Sequence, residues 1–117
     1  MIDLTFYGLG SCDTCRKALK DLRAAGIEPS VIDVRSDGIP EKDLSEMVST
    51  LGAEPLVNRR STTWRGLSLE DRDRAMVPAT CAKVLAETPT LMKRPVIAAG
   101  GTFHVGWNAE VKAQLIE

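Results

Sequence analysis

Two cysteines three residues apart, Cys12 and Cys15, are the residues of this chain best suited to chemistry. They follow a glycine-rich loop and stand where a stretch with helical periodicity begins. A thiol at the start of a helix faces unpaired backbone N–H groups and the positive end of the helix dipole, both of which stabilise the thiolate. Because the thiolate is the nucleophilic and redox-active form, we predict that Cys12 is the nucleophile. Cys15 lies one turn later on the apolar stripe, so we expect it to be more buried and to act as the resolving thiol in disulfide exchange.

Two other interpretations of the cysteine pair stay open. In the first, the pair has no chemical role. In the second, it forms half of a zinc site that Cys81 and His104 complete. Neither of those residues has the close second-pair spacing of a zinc finger, and we therefore predict no metal site. Cys81 shares an apolar face with neighbouring aliphatic residues, which is typical of a buried cysteine. His104 alternates with apolar residues on a predicted strand, and we leave it outside the site.

The first third of the chain predicts the elements that position Cys12. Residues 2–7 alternate between apolar and polar side chains, as in a strand with one buried face. Apolar residues then recur at helical spacing from Cys15 until Gly26, which provides a left-handed stop. A second strand at residues 31–34 follows after a short connection. The order predicts a βαβ unit with parallel strands and a right-handed crossover.

The rest of the chain predicts helices followed by a hairpin. Pro40 suits the first position of a helix that ends at Gly52, and residues 55–87 form a shorter, more broken helical segment. The strands at residues 96–99 and 102–105 flank a two-residue glycine turn, which indicates an antiparallel hairpin. Asn108 caps a last helix. We predict an α/β fold with a mixed four-stranded sheet (βαβ…ββα), and a single domain over residues 1–117 with a helical insertion at about residues 40–88.

Length and composition narrow the possible functions. The 117 residues suffice for one domain, whereas two domains of half that size would bury too little core. No run of 18 apolar residues or signal-like segment occurs, so we predict no membrane span and no secretory signal. The 15 Lys and Arg residues against 16 Asp and Glu give a net charge of −1, which argues against direct nucleic-acid binding through phosphates. The odd number of cysteines predicts reduced thiols in the cytoplasm.

Two basic segments are candidates for binding an anion near Cys12. Arg94-Pro95 precedes the third strand, and because proline lacks an N–H, the start of that strand is left open to a partner. Arg94 offers a planar fork to an oxyanion or carboxylate, although a surface cation beside Lys93 is an equally good interpretation. The sequence does not fix the isomer of the Arg94-Pro95 bond. Asn58-Arg59-Arg60 is the other basic segment, and its composition favours a solvated turn with Trp64 anchoring the insertion.

Four segments in this order resemble the arsenate reductase ArsC family, and most closely its Spx and YffB branches. They span nearly the whole chain and read YGLGSCDTCRKA at residues 7–18, LVNRRSTTWR at 56–65, KRPV at 93–96 and VGWN at 105–108. The resemblance implies a thioredoxin-like fold with a helical insertion and a catalytic cysteine at the position of Cys12. It also implies an anion site in which Arg94 and the segment around Arg60 face that cysteine.

The predicted site therefore has a catalytic part and an anion-binding part. Cys12, Cys15 and Arg94 form the catalytic part. The substrate-binding or anion-binding part comprises Arg60, Arg59, Asp13, Thr14 and Pro95. Arg60 matches the YffB-like motif better, and Arg59 stays an alternative because the alignment with the reductases slips there.

Departures from the reductases weaken the case for arsenate. The resemblance implies a single-cysteine, glutathione-using design with an early histidine and a third arginine. This chain has Gly8 and Trp107 at those positions and adds Cys15. Each charged hydrogen bond is worth ~1.5–3 kcal/mol, so a pocket without the third cation suits thiol reduction better than arsenate reduction.

Two functions follow as expectations. The first is an arsenate reductase-like oxidoreductase that reduces thiols, disulfides or arsenate, with glutathione as co-substrate, glutaredoxin as a further candidate partner and no tightly bound cofactor. The second is an Spx-like regulator that binds RNA polymerase and responds to oxidation of the two cysteines.

Overall fold

A computed structural model of the chain describes residues 4–116. The described residues divide into two compact units, one formed by residues 4–37 and 94–116 and the other by Gly38–Lys93. The second unit covers the range predicted as an insertion, and the assignment of both to one domain stays a prediction. The helices and strands, in chain order, are β1 (Leu4–Gly8), α1 (Asp13–Ala24), β2 (Ser30–Asp33), α2 (Glu41–Leu51), α3 (Thr62–Arg65), α4 (Leu69–Met76), α5 (Pro78–Glu87), β3 (Val96–Ala99), β4 (Thr102–Val105) and α6 (Ala109–Ile116).

The first unit contains a four-stranded mixed sheet in the order β2-β1-β3-β4. β1 pairs in parallel with β2 and antiparallel with β3, and β3 pairs antiparallel with β4. This confirms the predicted thioredoxin-like α/β sheet. The first strand is predicted at residues 2–7. Residues 2 and 3 lie outside the described part of the chain, and the strand continues one residue further than predicted, to Gly8. The second strand is shifted by one residue, although Val34 still donates its N–H to the carbonyl of Gly8 at 2.9 Å.

The hairpin and the last helix agree with their local signals. Gly100 and Gly101 have φ angles of +54° and +88°, as a two-residue turn with two left-handed positions requires. The Asn108 side chain accepts a hydrogen bond from the Val111 N–H at 2.9 Å, which confirms it as the cap of α6. The connection before α6 is tied to α1, because Trp107 Nε1 donates to Asp21 Oδ2 at 2.9 Å.

Helix α1 packs its apolar face on the sheet. Cys15, Ala18 and Leu22, one turn apart in succession, are all buried, and they form one cluster with the sheet residues Leu4, Phe6 and Ile97. The helix ends before Gly26, whose φ of +82° provides the expected left-handed stop. The spacing of these side chains is what places the N-terminus of α1 next to the end of β1.

The second unit is helical, as predicted. Ser68 caps α4 by accepting from the Asp71 N–H, and α5 begins at Pro78. Pro40 is predicted at the first helical position of α2 but lies immediately before it, because its ψ of 133° is extended. The short helix α3 was not predicted. Cys81 is fully buried on α5, as expected.

Within residues 4–116, no helix has both the length and the apolar character needed to span a membrane.

Candidate active site

Cys12 occupies the cap position immediately before α1. Its φ and ψ of −86° and 121° are extended, and the first residue of the helix is Asp13. The loop that delivers it is closed by a hydrogen bond from the Cys12 N–H to the Leu9 carbonyl at 3.0 Å, and the Cys12 carbonyl accepts from the Arg16 N–H at 3.0 Å. The residue is partly exposed and packs against the core cluster of the first unit. The backbone of Cys12 is therefore held in place by hydrogen bonds, while the residue stays accessible to solvent.

The environment of Cys12 favours the thiolate. Burial raises the pKa of the Cys12 thiol, but hydrogen bonds from the backbone N–H and the thiol of Cys15 oppose that effect. The Thr14 N–H and the positive charge of Arg94 act in the same direction, and the net result is a pKa below the ordinary value.

Cys15 has the opposite character. Its side chain is 1% exposed, and burial raises the pKa of the thiol to about 11, with its position as hydrogen-bond donor to Cys12 acting in the same direction. The surroundings thus favour ionisation of Cys12 and disfavour ionisation of Cys15. Two titratable groups whose environments separate their pKa values are the usual sign of divided roles in a reaction. The predicted difference in burial between the two cysteines is confirmed.

Arg94 lies close enough to both sulfur atoms for its charge to lower the pKa of each thiol. The side chain is half-buried, and the peptide bond to Pro95 is cis. The Pro95 carbonyl accepts a hydrogen bond from the Gly106 N–H at 2.8 Å. The structure therefore brings together Cys12, Cys15 and Arg94, the three residues predicted as the catalytic part.

The other predicted anion-binding residues fall into two groups. Thr14 supplies its backbone N–H to Cys12, and the exposed Asp13 carboxylate pairs with Arg16 in the first turn of α1. Arg59 and Arg60 belong to the second unit, where Arg59 pairs with Glu54 at 3.6 Å. That these two arginines face Cys12 stays a prediction.

The turn that carries Arg60 is held by its own hydrogen bonds. The Arg60 N–H donates to Asn58 Oδ1 at 3.1 Å, and its carbonyl accepts from Arg65 Nη2 at 3.0 Å. Ser61 Oγ donates to the Asn58 carbonyl at 2.7 Å and accepts from the Trp64 N–H at 3.1 Å, which caps α3. The segment predicted as a solvated turn is thus held by hydrogen bonds, keeps Arg59 and Arg60 exposed and leads into a short helix.

Asp33 contacts the loop that leads to Cys12, and this contact was not predicted from the sequence. Its carboxylate accepts from the N–H groups of Arg35 at 2.9 Å and Ser36 at 3.0 Å. These two bonds, together with one from the Gly10 N–H, outweigh the effect of burial and lower the pKa of Asp33. Asp33 therefore links the end of β2 to the loop before Cys12. An aspartate followed by a polar turn was the available signal, but the contact with Gly10 depends on the parallel pairing of β1 and β2.

The arrangement supports nucleophilic thiol chemistry. It offers a stabilised thiolate, a second thiol as proton carrier or resolving group, and a guanidinium to hold negative charge. Among residues 4–116, no group of three or more His, Cys, Asp or Glu side chains could hold a metal ion.

Comparison with known proteins identifies relatives of two kinds. Residues 7–115 match the ArsC family. An uncharacterized protein of Haemophilus influenzae is 43% identical over 105 residues, which cover 90% of this chain and 91% of that protein. Global transcriptional regulator Spx 2 of Lactococcus lactis is 28% identical over 109 residues, covering 92% and 81% of the two chains. Arsenate reductase of Rhizobium meliloti is 28% identical over 98 residues, covering 82% and 69%.

The fold has a close match among solved structures. A YffB protein superposes with a TM-score of 0.89 at 26% identity, and the match covers 97% of this chain and 99% of that one. The resemblance found in the four sequence segments is confirmed.

Proposed function

The chain belongs to the ArsC family, and on that premise we propose that it is a thiol-dependent oxidoreductase that uses the Cys12 thiolate to reduce glutathione mixed disulfides. The observation that carries the proposal is the contrast between the two cysteines beside one arginine. The pKa of Cys12 is lowered, whereas burial raises the pKa of Cys15 to about 11. A merely structural pair of buried cysteines would have no reason to differ in this direction.

In the first step, the Cys12 thiolate attacks the glutathionyl sulfur of a disulfide between glutathione and a second thiol. A disulfide forms between Cys12 and glutathione, the original S–S bond breaks, and the second thiol leaves as a thiolate that takes up a proton. Low thiol pKa favours attack at neutral pH because a larger fraction of Cys12 is ionised.

In the second step, the Cys12 disulfide is reduced in one of two ways. Cys15 attacks the sulfur of Cys12, an intramolecular disulfide forms, and glutathione leaves with the proton that Cys15 gives up. Two molecules of free glutathione then reduce this disulfide in successive exchanges and leave as oxidised glutathione. Alternatively, a thiolate of free glutathione attacks the glutathionyl sulfur, which yields oxidised glutathione and regenerates Cys12. Glutathione serves as the co-substrate in this scheme, glutaredoxin is a further candidate for the recycling step, and no resident cofactor is required.

We assign the binding of the substrate's anionic groups to the arginines. Arg94 offers a fork that matches the carboxylates of glutathione or an oxyanion, and its position beside Cys12 and Cys15 supports this role. Arg60 is the second proposed contact and Arg59 its alternative. The Thr14 N–H and the N-terminus of α1 would stabilise negative charge that develops at the sulfur.

Trp107 favours a disulfide over arsenate as the substrate. Its indole N–H donates to Asp21 at 2.9 Å, so this donor is engaged within the first unit. The position that would supply a third cation in the arsenate reductases provides no positive charge here. Arsenate stays a second candidate substrate, because thiolate and guanidinium groups also suit an oxyanion.

An Spx-like regulator is the alternative function. The hydrogen bond between the thiols of Cys12 and Cys15 favours closure of a disulfide, and a disulfide can switch a binding surface. If the protein is such a regulator, we expect the pure protein to capture RNA polymerase and not to turn over disulfides. Both functions need reduced cysteines, so the cytoplasm is the proposed compartment.

Cys15→Ser separates the two routes of the second step. We expect the variant to keep glutathione-coupled turnover within about tenfold of the wild type, because one neutral hydrogen bond contributes about 0.5–1.5 kcal/mol. The variant should lose all intramolecular disulfide formation. The measurement is formation of oxidised glutathione from a small glutathione mixed disulfide, with arsenate as a parallel substrate. Wild-type protein that turns over neither substrate would count against the enzyme, and RNA polymerase capture would then support the regulator.

A further inference from the structure

Gly8 is the buried last residue of β1, and a side chain there would collide with the thiol pair. A Cβ atom placed on Gly8 would lie 3.1 Å from Cys15 Sγ and 2.5 Å from Cε1 of Phe6. Both distances are shorter than the optimal separation of nonbonded heavy atoms, which is about 3.5–4.0 Å. The backbone of Gly8 is outside the left-handed region, so the requirement for glycine is steric and does not come from an unusual φ.

Gly10 shows that the steric requirement for glycine does not extend to the loop that follows β1. A Cβ on Gly10 would meet no atom within 4 Å, and its φ is also outside the left-handed region. Gly8 ends β1 and Gly10 lies two residues later in the loop before Cys12, yet only Gly8 borders a sulfur atom. Gly10 therefore provides a matched control for substitutions at Gly8.

We propose that Gly8 is a positioning residue for the cysteine pair: its missing side chain leaves the space in which Cys15 Sγ lies against the end of β1, within reach of Cys12. The inference rests on the proposed function, since it concerns the second step of that reaction. Cys15 is 1% exposed, so its sulfur has little freedom to approach Cys12 by another path. A methyl group at position 8 would displace the sulfur, the Phe6 ring or both.

The step at issue is the attack of Cys15 on a mixed disulfide at Cys12. The Cys15 thiol loses its proton, its sulfur forms a bond to Cys12 Sγ, and the bond between Cys12 and the outer thiol breaks. The outer thiol leaves as a thiolate and accepts a proton, so Cys15 is oxidised and the outer thiol is reduced. Such an exchange needs the three sulfur atoms close to one line, and a displacement of about 1 Å can cost on the order of a hundredfold in rate.

A single-turnover assay with a symmetrical chromogenic aromatic disulfide resolves the two steps. Attack by Cys12 releases the first coloured thiolate, and attack by Cys15 on the resulting mixed disulfide releases the second. For Gly8→Ala, we expect the first release to remain stoichiometric and the second to slow by roughly tenfold to a hundredfold. Gly10→Ala should match the wild type in both releases. Second release from Gly8→Ala at the wild-type rate would overturn the proposal.

The contact with Phe6 requires a second variant. The new methyl group of Gly8→Ala also collides with the Phe6 ring, and this collision by itself would destabilise the folded protein. Phe6→Leu removes Cε1, the atom at 2.5 Å. The 3.1 Å contact with Cys15 Sγ remains, and the leucine still carries a δ carbon in place of Phe6 Cδ1, which also lies at 3.1 Å. The double variant Phe6→Leu/Gly8→Ala should still show slow second release when compared with Phe6→Leu. Recovery to the rate of Phe6→Leu would assign the effect to the ring and overturn the proposal.

The pH dependence of Cys12 alkylation gives an independent readout. Displacing Cys15 removes a hydrogen bond that lowers the pKa of Cys12, so Gly8→Ala should shift the midpoint upward in the wild-type background and leave it unchanged in a Cys15→Ala background. An equal shift in both backgrounds would contradict the proposed route through Cys15. Absence of the first coloured release from wild-type protein would instead contradict the proposed function itself, and the two failures are therefore distinguishable.

Discussion

Cys12→Ser is expected to reduce turnover of a glutathione mixed disulfide to the rate of the uncatalysed reaction. A serine hydroxyl is not ionised at neutral pH and cannot form the disulfide intermediate, so both routes of the second step lose their substrate. The measurement is formation of oxidised glutathione by purified variant and wild type, with the Cys12 disulfide detected by intact-protein mass.

Cys81→Ala is the matched control for Cys12→Ser. Cys81 is fully buried, and burial raises the pKa of its thiol to about 11, so it should take no part in exchange. The variant should keep wild-type turnover as long as it remains folded. Turnover retained by Cys12→Ser, or lost in a folded Cys81→Ala, would show that the nucleophile has been misassigned.

Arg94→Met is expected to lower kcat/KM for the mixed disulfide by roughly 10- to 100-fold, since a hydrogen bond to a charged group contributes about 1.5–3 kcal/mol. Two effects combine in this change. The substrate loses a cationic contact, and Cys12 loses a positive charge that lowers its pKa. Initial rates over a range of substrate concentrations, measured at several pH values, separate the loss of substrate binding from the change in Cys12 ionisation.

Two further variants show which property of Arg94 matters. Arg94→Lys keeps the charge and loses the planar fork, so it should raise KM while leaving the pH profile close to that of the wild type. Lys93→Met removes an exposed neighbouring cation and should change neither quantity by more than about twofold, as is usual for a surface charge. An Arg94→Met variant as active as Lys93→Met would remove Arg94 from the site.

Local signals were sufficient to predict the elements that deliver Cys12. The alternation in β1, the glycine-rich loop and the apolar stripe of α1 each appear within a few adjacent residues, and the structure places Cys12 at the cap of α1 as expected. The difference in burial between Cys12 and Cys15 followed from the same helical spacing. The hairpin was predictable because its two-residue turn requires left-handed positions that glycine adopts readily.

Contacts between distant segments were not predictable in the same way. The bond from Gly10 to Asp33 depends on how β1 and β2 pair, and the space beside Gly8 depends on how α1 packs against β1. Helix α3 spans only four residues, too few to show a helical period. The relation of Arg59 and Arg60 to Cys12 is likewise a long-range property and stays a prediction.

The rate of Cys12 alkylation as a function of pH tests the central claim most directly. Only the thiolate reacts, so the rate rises with pH through the thiol pKa and then levels off. Because Cys15 and Cys81 are buried, a small alkylating agent followed by peptide mass analysis reports on Cys12. We predict a midpoint well below the ordinary value of about 8.5 and an upward shift in Arg94→Met. A midpoint at or above that value in the wild type would contradict the claim that this site holds Cys12 as a thiolate.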